Sequence, residues 1–273
     1  MKTFYEEIQR HGGKSAPCLL KHLKATGIAD WADLTKANLF ALRDELRESV
    51  SPNSAKFYLA AIRAILGRFE DELDLPKDWR AAFQSKAEKP VKTFLTPREI
   101  DAFAAVTPRN ERDRYVQSAF LCGCWTGARV SDIMDLSDLN IQGDMLTYVS
   151  KKTGTRATVP AKPCIREHIL NVQGYGKEVC LMTYNRIVRE LARRAGISKP
   201  VKIYKAGRSS TVKKYEALSS HSARISFCTN LAAAGCSLND VAKLAGHSSP
   251  GMTARYVCDY EIKLPEKAMA YFS

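Results

Sequence analysis

The sequence predicts a mainly α protein in two parts: an N-terminal helical bundle, then a mixed, mostly helical domain carrying small antiparallel β-hairpins. Three observations lead there. Apolar residues recur at helical spacing as far as Phe83. A polar, proline-bearing stretch then interrupts them. Beyond it, helical runs are broken only by two pairs of short β-like runs, each folded around a basic, glycine-containing turn.

The opening residues, Met1-Lys2-Thr3-Phe4, lead directly into polar helix-like sequence. A first apolar helix follows Pro17, with Leu19, Leu20 and Leu23 on one side. Thr35 caps a second, whose stripe is Leu39, Phe40, Leu42 and Leu46. Ser51-Pro52-Asn53-Ser54 opens a third, in which Phe57, Leu59, Ile62, Ile65, Leu66 and Phe69 recur at helical spacing. A short fourth helix spans Trp79 to Phe83. The stretch from Gln84 to Lys92, with Pro90 inside it, reads as an interdomain linker. The expected domains are therefore residues 1–88 and 89–273.

Thr96-Pro97-Arg98-Glu99 is a capping box with proline at the first helical position, so the second domain starts on a firm helix. Asn110 to Trp125 reads as another, stopped by Gly127. Met145–Ser150 and Arg156–Pro160 form a hairpin around Lys151-Lys152-Thr153-Gly154-Thr155. Tyr184 to Ala195 is helical. Val201–Tyr204 and Thr211–Tyr215 flank a second basic turn, Lys205 to Ser210. From Ser220 onward the chain is helical in short pieces.

With 45% hydrophobic and 26% charged residues, the composition is that of a globular protein rather than a disordered chain. The net charge is +13 and is unevenly spread. Residues 1–90 carry 15 Lys/Arg against 13 Asp/Glu, whereas 151–215 carry 16 against 3. Such a concentration points to a polyanion, nucleic acid first, or else to a solvated basic face. No apolar run approaches the length of a membrane span. The eight cysteines are scattered, and with no secretory leader ahead of them they read as free thiols in a reducing cytoplasm. Cys122-x-Cys124 has no second ligand pair at zinc spacing, so no metal is expected.

Three short patterns carry chemistry. His221-Ser222-Ala223-Arg224 places an imidazole and a guanidinium one turn apart on a helix face. Gly246-His247-Ser248-Ser249-Pro250 is a helix stop followed by a new start, with Tyr256 nine residues after the histidine. In Thr126-Gly127-Ala128-Arg129-Val130-Ser131-Asp132, a glycine turn presents Arg129 at a helix entrance, and Asp132 lies one turn on. Taken singly, each is as readily a surface ion pair or a packed aromatic.

Taken together, TGARVSDIMDL, SKKTGTRATVP, SSHSARISF and LAGHSSPGMTARYV resemble, in order, the active-site segments of the tyrosine recombinases, the phage integrase family. The resemblance runs from about Thr96 to Cys258. More loosely, the N-terminal helices resemble that family's SAM-like core-binding domain, in a two-domain, Xer-like layout. It implies that Arg129 and Arg224 hold the scissile phosphate and that Lys152 is the general acid, with Lys151 its rival. His221 would assist phosphate binding and proton handling, and His247 would bind a non-bridging oxygen. Tyr256 would be the nucleophile; Tyr260, thirteen residues after His247, stands outside the family spacing. Asp132 and Asp240 would be supporting carboxylates. Lys151, Arg156, Lys205, Arg208, Lys213 and Lys214 are expected to contact DNA.

The implied chemistry needs these residue types. A phosphodiester repels nucleophiles, and two guanidiniums neutralise it and stabilise the transition state. A phenol with a pKa near ~10 needs activation. A lysine protonates the departing 5′ oxygen. The product, a 3′-phosphotyrosine, conserves the bond energy, so no ATP or other cofactor is required; the chain has no P-loop motif. The expected partners are double-stranded DNA with paired inverted sites and three further copies in a tetramer. The apolar residues Ile262, Leu264, Ala268, Met269, Tyr271 and Phe272 imply exchange of the C-terminal tail between subunits. The outcome would be integration, excision or resolution of DNA. A type IB topoisomerase-like relaxation, or DNA binding without catalysis, remain alternatives at this point.

Overall fold

The computed structural model of the chain describes residues 2–84, 92–205 and 208–258. It divides into two compact units: Met1–Pro90 with Tyr204–Ser210, and Val91–Ile203 with Thr211–Ser273. The interior of the linker (85–91), Tyr260 and the apolar tail lie outside the described residues. Among those described, no helix is long and apolar enough to cross a membrane.

The N-terminal unit is a helical bundle. Helix α1 (Phe4–His11) is fixed by a reciprocal capping box between Thr3 and Glu6. Next come α2 (Ala16–Ala25), α3 (Lys36–Ser49) and α4 (Pro52–Leu66). Thr35 and Ser51 cap the last two, each accepting from a backbone N–H three residues on. Leu19, Leu23, Leu39, Leu42, Leu46, Leu59 and Ile62 are fully buried together, as their spacing requires. Phe57 departs from the expected stripe and is 59% exposed, on the outer side of α4. Trp79–Phe83 is a 3₁₀ turn rather than an α-helix, and it lays Trp79 and Phe83 edge to face against the core.

The second unit is built around α6 (Glu111–Thr126), which follows α5 (Pro97–Ala104). Every residue of α6 from Tyr115 to Cys124 is buried, so it is a central helix with no solvent face. It ends at Gly127, in the left-handed region at φ +69°. After a single-turn α7 (Val130–Ile133) comes an antiparallel sheet in the order β1 (Ile141–Gln142), β2 (Met145–Val149), β3 (Arg156–Pro160). Leu146 pairs with Val159 and Tyr148 with Ala157, and all four point inward, while Thr147 and Thr158 face out.

Helix α8 (Ile165–Tyr175) was not anticipated, although Ile165, Ile169 and Val172 fall at helical spacing and are buried. Helix α9 (Leu181–Arg194) begins one turn earlier than the apolar pattern suggested. Strands β4 (Pro200–Lys205) and β5 (Arg208–Lys213) form a two-stranded sheet, and the chain then turns into a 3₁₀ segment, Lys214–Ala217, where strand was expected. Three helices end the described part of the chain: α10 (Ser220–Ala233), α11 (Leu238–Ala245) and α12 (Pro250–Ala254). The architecture is thus mainly α, with small sheets.

Helix α10 packs directly on α6. At Gly123 a Cβ would come within 2.9 Å of the Ala223 Cβ, so the absence of a side chain sets how closely the helices approach. Gly127 is more constrained, because a Cβ there would sit 2.5 Å from the ring of buried Phe227. Gly127→Ala therefore combines left-handed backbone strain with overpacking, and is expected to cost about 2–5 kcal/mol. Denaturant unfolding of the purified variant measures this; a loss below about 1 kcal/mol would contradict it.

Candidate active site

The break at Gly127 sets the direction of the chain beyond it. Arg129 becomes the N-cap residue of α7, with extended backbone, and its side chain turns to β2. Its Nη1 donates to Ser150 Oγ at 2.6 Å and lies 3.8 Å from Asp132 Oδ2. Asp132 is 3% exposed, and its Oδ1 accepts the backbone N–H of Lys151 at 3.0 Å. Ser150, fully buried, directly follows β2 and closes the hairpin turn: its carbonyl accepts from the N–H groups of Thr153 and Gly154.

The other wall comes from α10 and the junction of α11 with α12. Arg224 is 1% exposed, the largest fully buried side chain in the protein's described part. Its Nη1 donates to the Gly127 carbonyl and its Nε to His247 Nε2 at 3.2 Å, while its Nη2 is buried without a partner. Arginine has no acceptor, so His247 Nε2 must be the unprotonated nitrogen. The ring proton therefore sits on Nδ1, which donates to Thr253 Oγ1 at 2.9 Å.

Tyr256 follows α12, which Ser249 caps and Pro250 begins. Its N–H donates to the Thr253 carbonyl at 2.7 Å. Its ring stacks on His247 with centroids 4.6 Å apart, stands 5.0 Å from the His221 ring, and lies 5.4 Å from the Arg224 guanidinium carbon. Side chains from α10 and from the α11–α12 junction thus converge on one phenol.

Burial, and then the cations Arg224 and Arg129 with His221, push His247 down to about 4. His221 is lowered as well, by desolvation first and then by Arg224, Arg129, Lys92 and Lys152. The residue is solvent-exposed on one side, where water screens the four cations, so burial of the inner side remains the leading cause. Both imidazoles are accordingly neutral at pH 7. Tyr148, buried beneath with its hydroxyl donating to the Thr126 carbonyl, is pushed up to about 12 by burial.

The remaining expected residues divide sharply. Lys151 is exposed and held by Asp135, Nζ to Oδ2 2.5 Å. Lys152, beside it on the turn, is exposed and acts electrostatically on His221. Arg156 and Lys213 are exposed. Lys205 and Arg208 lie on β4 and β5, but their side chains fall outside the described residues.

Two expectations need correcting. Lys214 is 3% exposed; its Nζ pairs with Glu99 Oε2 at 2.5 Å over the Phe94 ring, so it ties the 3₁₀ segment to the α5 cap and presents no surface to DNA. Asp240 is exposed in the first turn of α11, where its N–H donates to the capping Ser237 hydroxyl and its carboxylate accepts from it; it is not brought to the site. Ser150, Thr253 and the Gly127 carbonyl, in turn, were not expected. The only sequence signals for them were adjacency to the lysine pair, the HSSPGMTARY spacing and the glycine turn.

His247 carries a stability prediction. The unfolded imidazole titrates near 6.5 and the folded one near 4, so between those values the unfolded state binds more protons. Stability is lost as pH falls from about 6.5 to about 4, by roughly 3 kcal/mol from this one group. His247→Gln should flatten that part of the pH–stability curve in denaturant unfolding at pH 7 and pH 4.5; an unchanged slope would refute the assignment.

Residues 93–261 match the model of the phage integrase family. No curated protein matches the chain. Among solved structures, it is similar to the Tn1549 transposon integrase in complex with transposon right end DNA, at 14% identity over 99% of both chains with a TM-score of 0.70. It is also similar to a lambda integrase dimer bound to a core site, at 17% identity over 95% of this chain and 96% of that one, TM-score 0.63. The XerH site-specific recombinase, bound to its palindromic difH substrate, matches at 14% identity over 94% of this chain and 77% of that one, TM-score 0.63. These likenesses establish a shared fold. The family match spans more than half the sequence and contains every residue gathered around Tyr256, and on that ground the chain belongs to the phage integrase family.

Proposed function

We propose that this chain is a site-specific DNA recombinase that cuts and rejoins strands through a 3′-phosphotyrosine on Tyr256. The observation that carries the proposal is the packing of one phenol against Arg224, His221 and His247, with Arg129 close enough to depress both imidazoles. A cluster of cations in which Asp132 offsets Arg129 but no described carboxylate pairs with Arg224 is suited to an anionic substrate.

Each step has a group in place for it. Arg129 and Arg224 bind the non-bridging oxygens of the scissile phosphate, and the unpartnered Nη2 of Arg224 gains an acceptor. Neutral His221 accepts the phenol proton as the Tyr256 oxygen attacks phosphorus. The bond from phosphorus to the 5′ oxygen breaks, and that oxygen takes a proton from Lys152. Lys152 is favoured over Lys151 because Lys151 is engaged at both its amine, by Asp135, and its backbone N–H, by Asp132. With its proton on Nδ1, His247 cannot donate to the phosphate from Nε2. The incoming anion raises the imidazole's affinity for a second proton and competes for Arg224, so His247 becomes a phosphate donor only as DNA binds. Religation is the reverse, with a 5′ hydroxyl as nucleophile.

Residues 1–88 are proposed as the core-binding domain and 89–273 as the catalytic one, both contacting duplex DNA in the cytoplasm. Four copies act on paired inverted sites, exchanging residues 261–273, in integration, excision or resolution of a mobile element. The exposed Lys151, Arg156 and Lys213, with Lys205 and Arg208, serve phosphate contact.

Covalent capture tests the chemistry. Protein is mixed with its source's genomic DNA and denatured, and the DNA joined through a 3′-phosphotyrosine is sequenced. Adducts at a few paired inverted sites, absent with Tyr256→Phe, are expected. Adducts spread over many sites would mean topoisomerase-like relaxation, and none at all would mean DNA binding without catalysis. In single-turnover cleavage, Lys152→Ala should be slower by about 10²–10⁴-fold and Lys151→Ala by no more than a few-fold; the opposite order would reassign the acid. DNA affinity should fall steeply from 50 to 200 mM salt, and a flat titration would count against the basic surface as the contact face.

A further inference from the structure

Ser150 has no part in the chemistry just described, yet it is fully buried and makes the shortest hydrogen bond to Arg129. Its hydroxyl accepts Nη1 of that guanidinium at 2.6 Å, whereas Asp132, the only carboxylate paired with Arg129 among the described residues, stands 3.8 Å off. Arg129 is itself 19% exposed, on a one-turn helix that follows a glycine break, and little else restrains its side chain. The backbone of Ser150 is as firmly held. Its N–H donates to the Thr155 carbonyl, and its own carbonyl accepts from Thr153 and Gly154, closing the turn that carries Lys151 and Lys152. Beside it, the Lys151 N–H bonds to Asp132.

We infer that Ser150 is a positioning residue for the recombination reaction: its hydroxyl fixes the Arg129 guanidinium against the lysine turn, in the orientation that meets the scissile phosphate. Two hydrogen bonds, Arg129 to Ser150 and Lys151 to Asp132, make α7 and the hairpin one body. A guanidinium binds a phosphate through a planar fork, so a rotation that leaves its charge in place still loses the second oxygen. Without the hydroxyl, Nη1 has the Asp132 carboxylate as its nearest acceptor, and turning toward it takes the fork away from the substrate.

The inference rests on Arg129 being a phosphate ligand, and modified substrates test the two ideas separately. Ser150→Ala, Arg129→Ala, Lys152→Ala and the parent protein are compared in single-turnover cleavage of three duplexes carrying the site recovered by covalent capture. One has an ordinary phosphodiester. One has a methylphosphonate, whose lost charge lessens the need for a guanidinium. One has a 5′-bridging sulfur, a leaving group that needs no acid. On the ordinary duplex, Ser150→Ala should be about ten- to a hundredfold slower than the parent, the loss of one charged hydrogen bond. Its deficit should shrink on the methylphosphonate, as that of Arg129→Ala does, and persist on the sulfur substrate, where Lys152→Ala recovers. A deficit of the same size on all three substrates would make Ser150 a general structural residue and overturn the inference, as would relief by sulfur alone. If Arg129→Ala itself gains nothing from the methylphosphonate, the reading of Arg129 as a phosphate ligand fails, and this inference with it.

Discussion

The structure depends on the burial of the Arg224 guanidinium. Removing an ionised group from water is costly unless its donors are met. Arg224 is 1% exposed and no carboxylate pairs with it among the described residues. What meets it instead is neutral: the Gly127 carbonyl, His247 Nε2 and the face of Tyr256. A carboxylate would have satisfied the charge fully and left it nothing to offer an anion. Neutral partners hold the group in place while leaving its charge uncompensated, which a phosphate ligand requires.

That choice constrains distant parts of the chain. The Gly127 carbonyl faces Arg224 only because the central helix α6 stops in a left-handed residue, and Phe227, one turn along α10, fills the space where a side chain would be. His247 accepts from Arg224 only in one tautomer, and the Thr253 hydroxyl, on α12, accepts the Nδ1 proton that this tautomer leaves. The same threonine receives the Tyr256 N–H. The helix stop, the histidine junction and the nucleophile's helix are therefore positioned against a single guanidinium. The second arginine is handled differently, by the Ser150 hydroxyl and the more distant Asp132 carboxylate, so the two cations are braced separately.

Much of this was legible in the residues because it is local. Caps such as Thr35, Ser51, Thr96 and Ser249 act within one turn of their own position, and each accepts the bond that its sequence context implies. The Lys-Thr-Gly hairpin is equally local. What escaped is what depends on packing. Helix α8 carries its apolar residues at the right spacing, but Cys164, at its start, offers no side-chain cap to announce it. Lys214 reads as one more member of a basic run, and only the fold brings Glu99, 115 residues away, to its amine. Asp240 was placed in the site by resemblance, although Ser237 three residues before it gives the simpler reading of a helix cap. Ser150 and Thr253 are small hydroxyls with no pattern of their own, and their importance appears only once the groups they touch are in place.

In the proposed reaction, the electrostatics of the free protein set what the substrate must supply. Arg129, Arg224, Lys152 and Lys92 all bear on His221, and the two arginines bear on His247; each depresses an imidazole, and among the described residues the only carboxylate paired with either arginine is Asp132, on Arg129. In that state His221 is ready to accept a proton, whereas His247 lacks a donor at Nε2. A phosphodiester entering between the arginines removes the repulsion that kept the imidazoles neutral and offers Arg224 a better partner than His247. On the proposed function the substrate thus supplies the charge that the protein leaves out at Arg224, and the donor on His247 and the full phosphate clamp would appear together with the bond to be cut. Neutral partners for Arg224 leave a buried charge uncompensated in the free site, and in the proposed function they couple its completion to DNA.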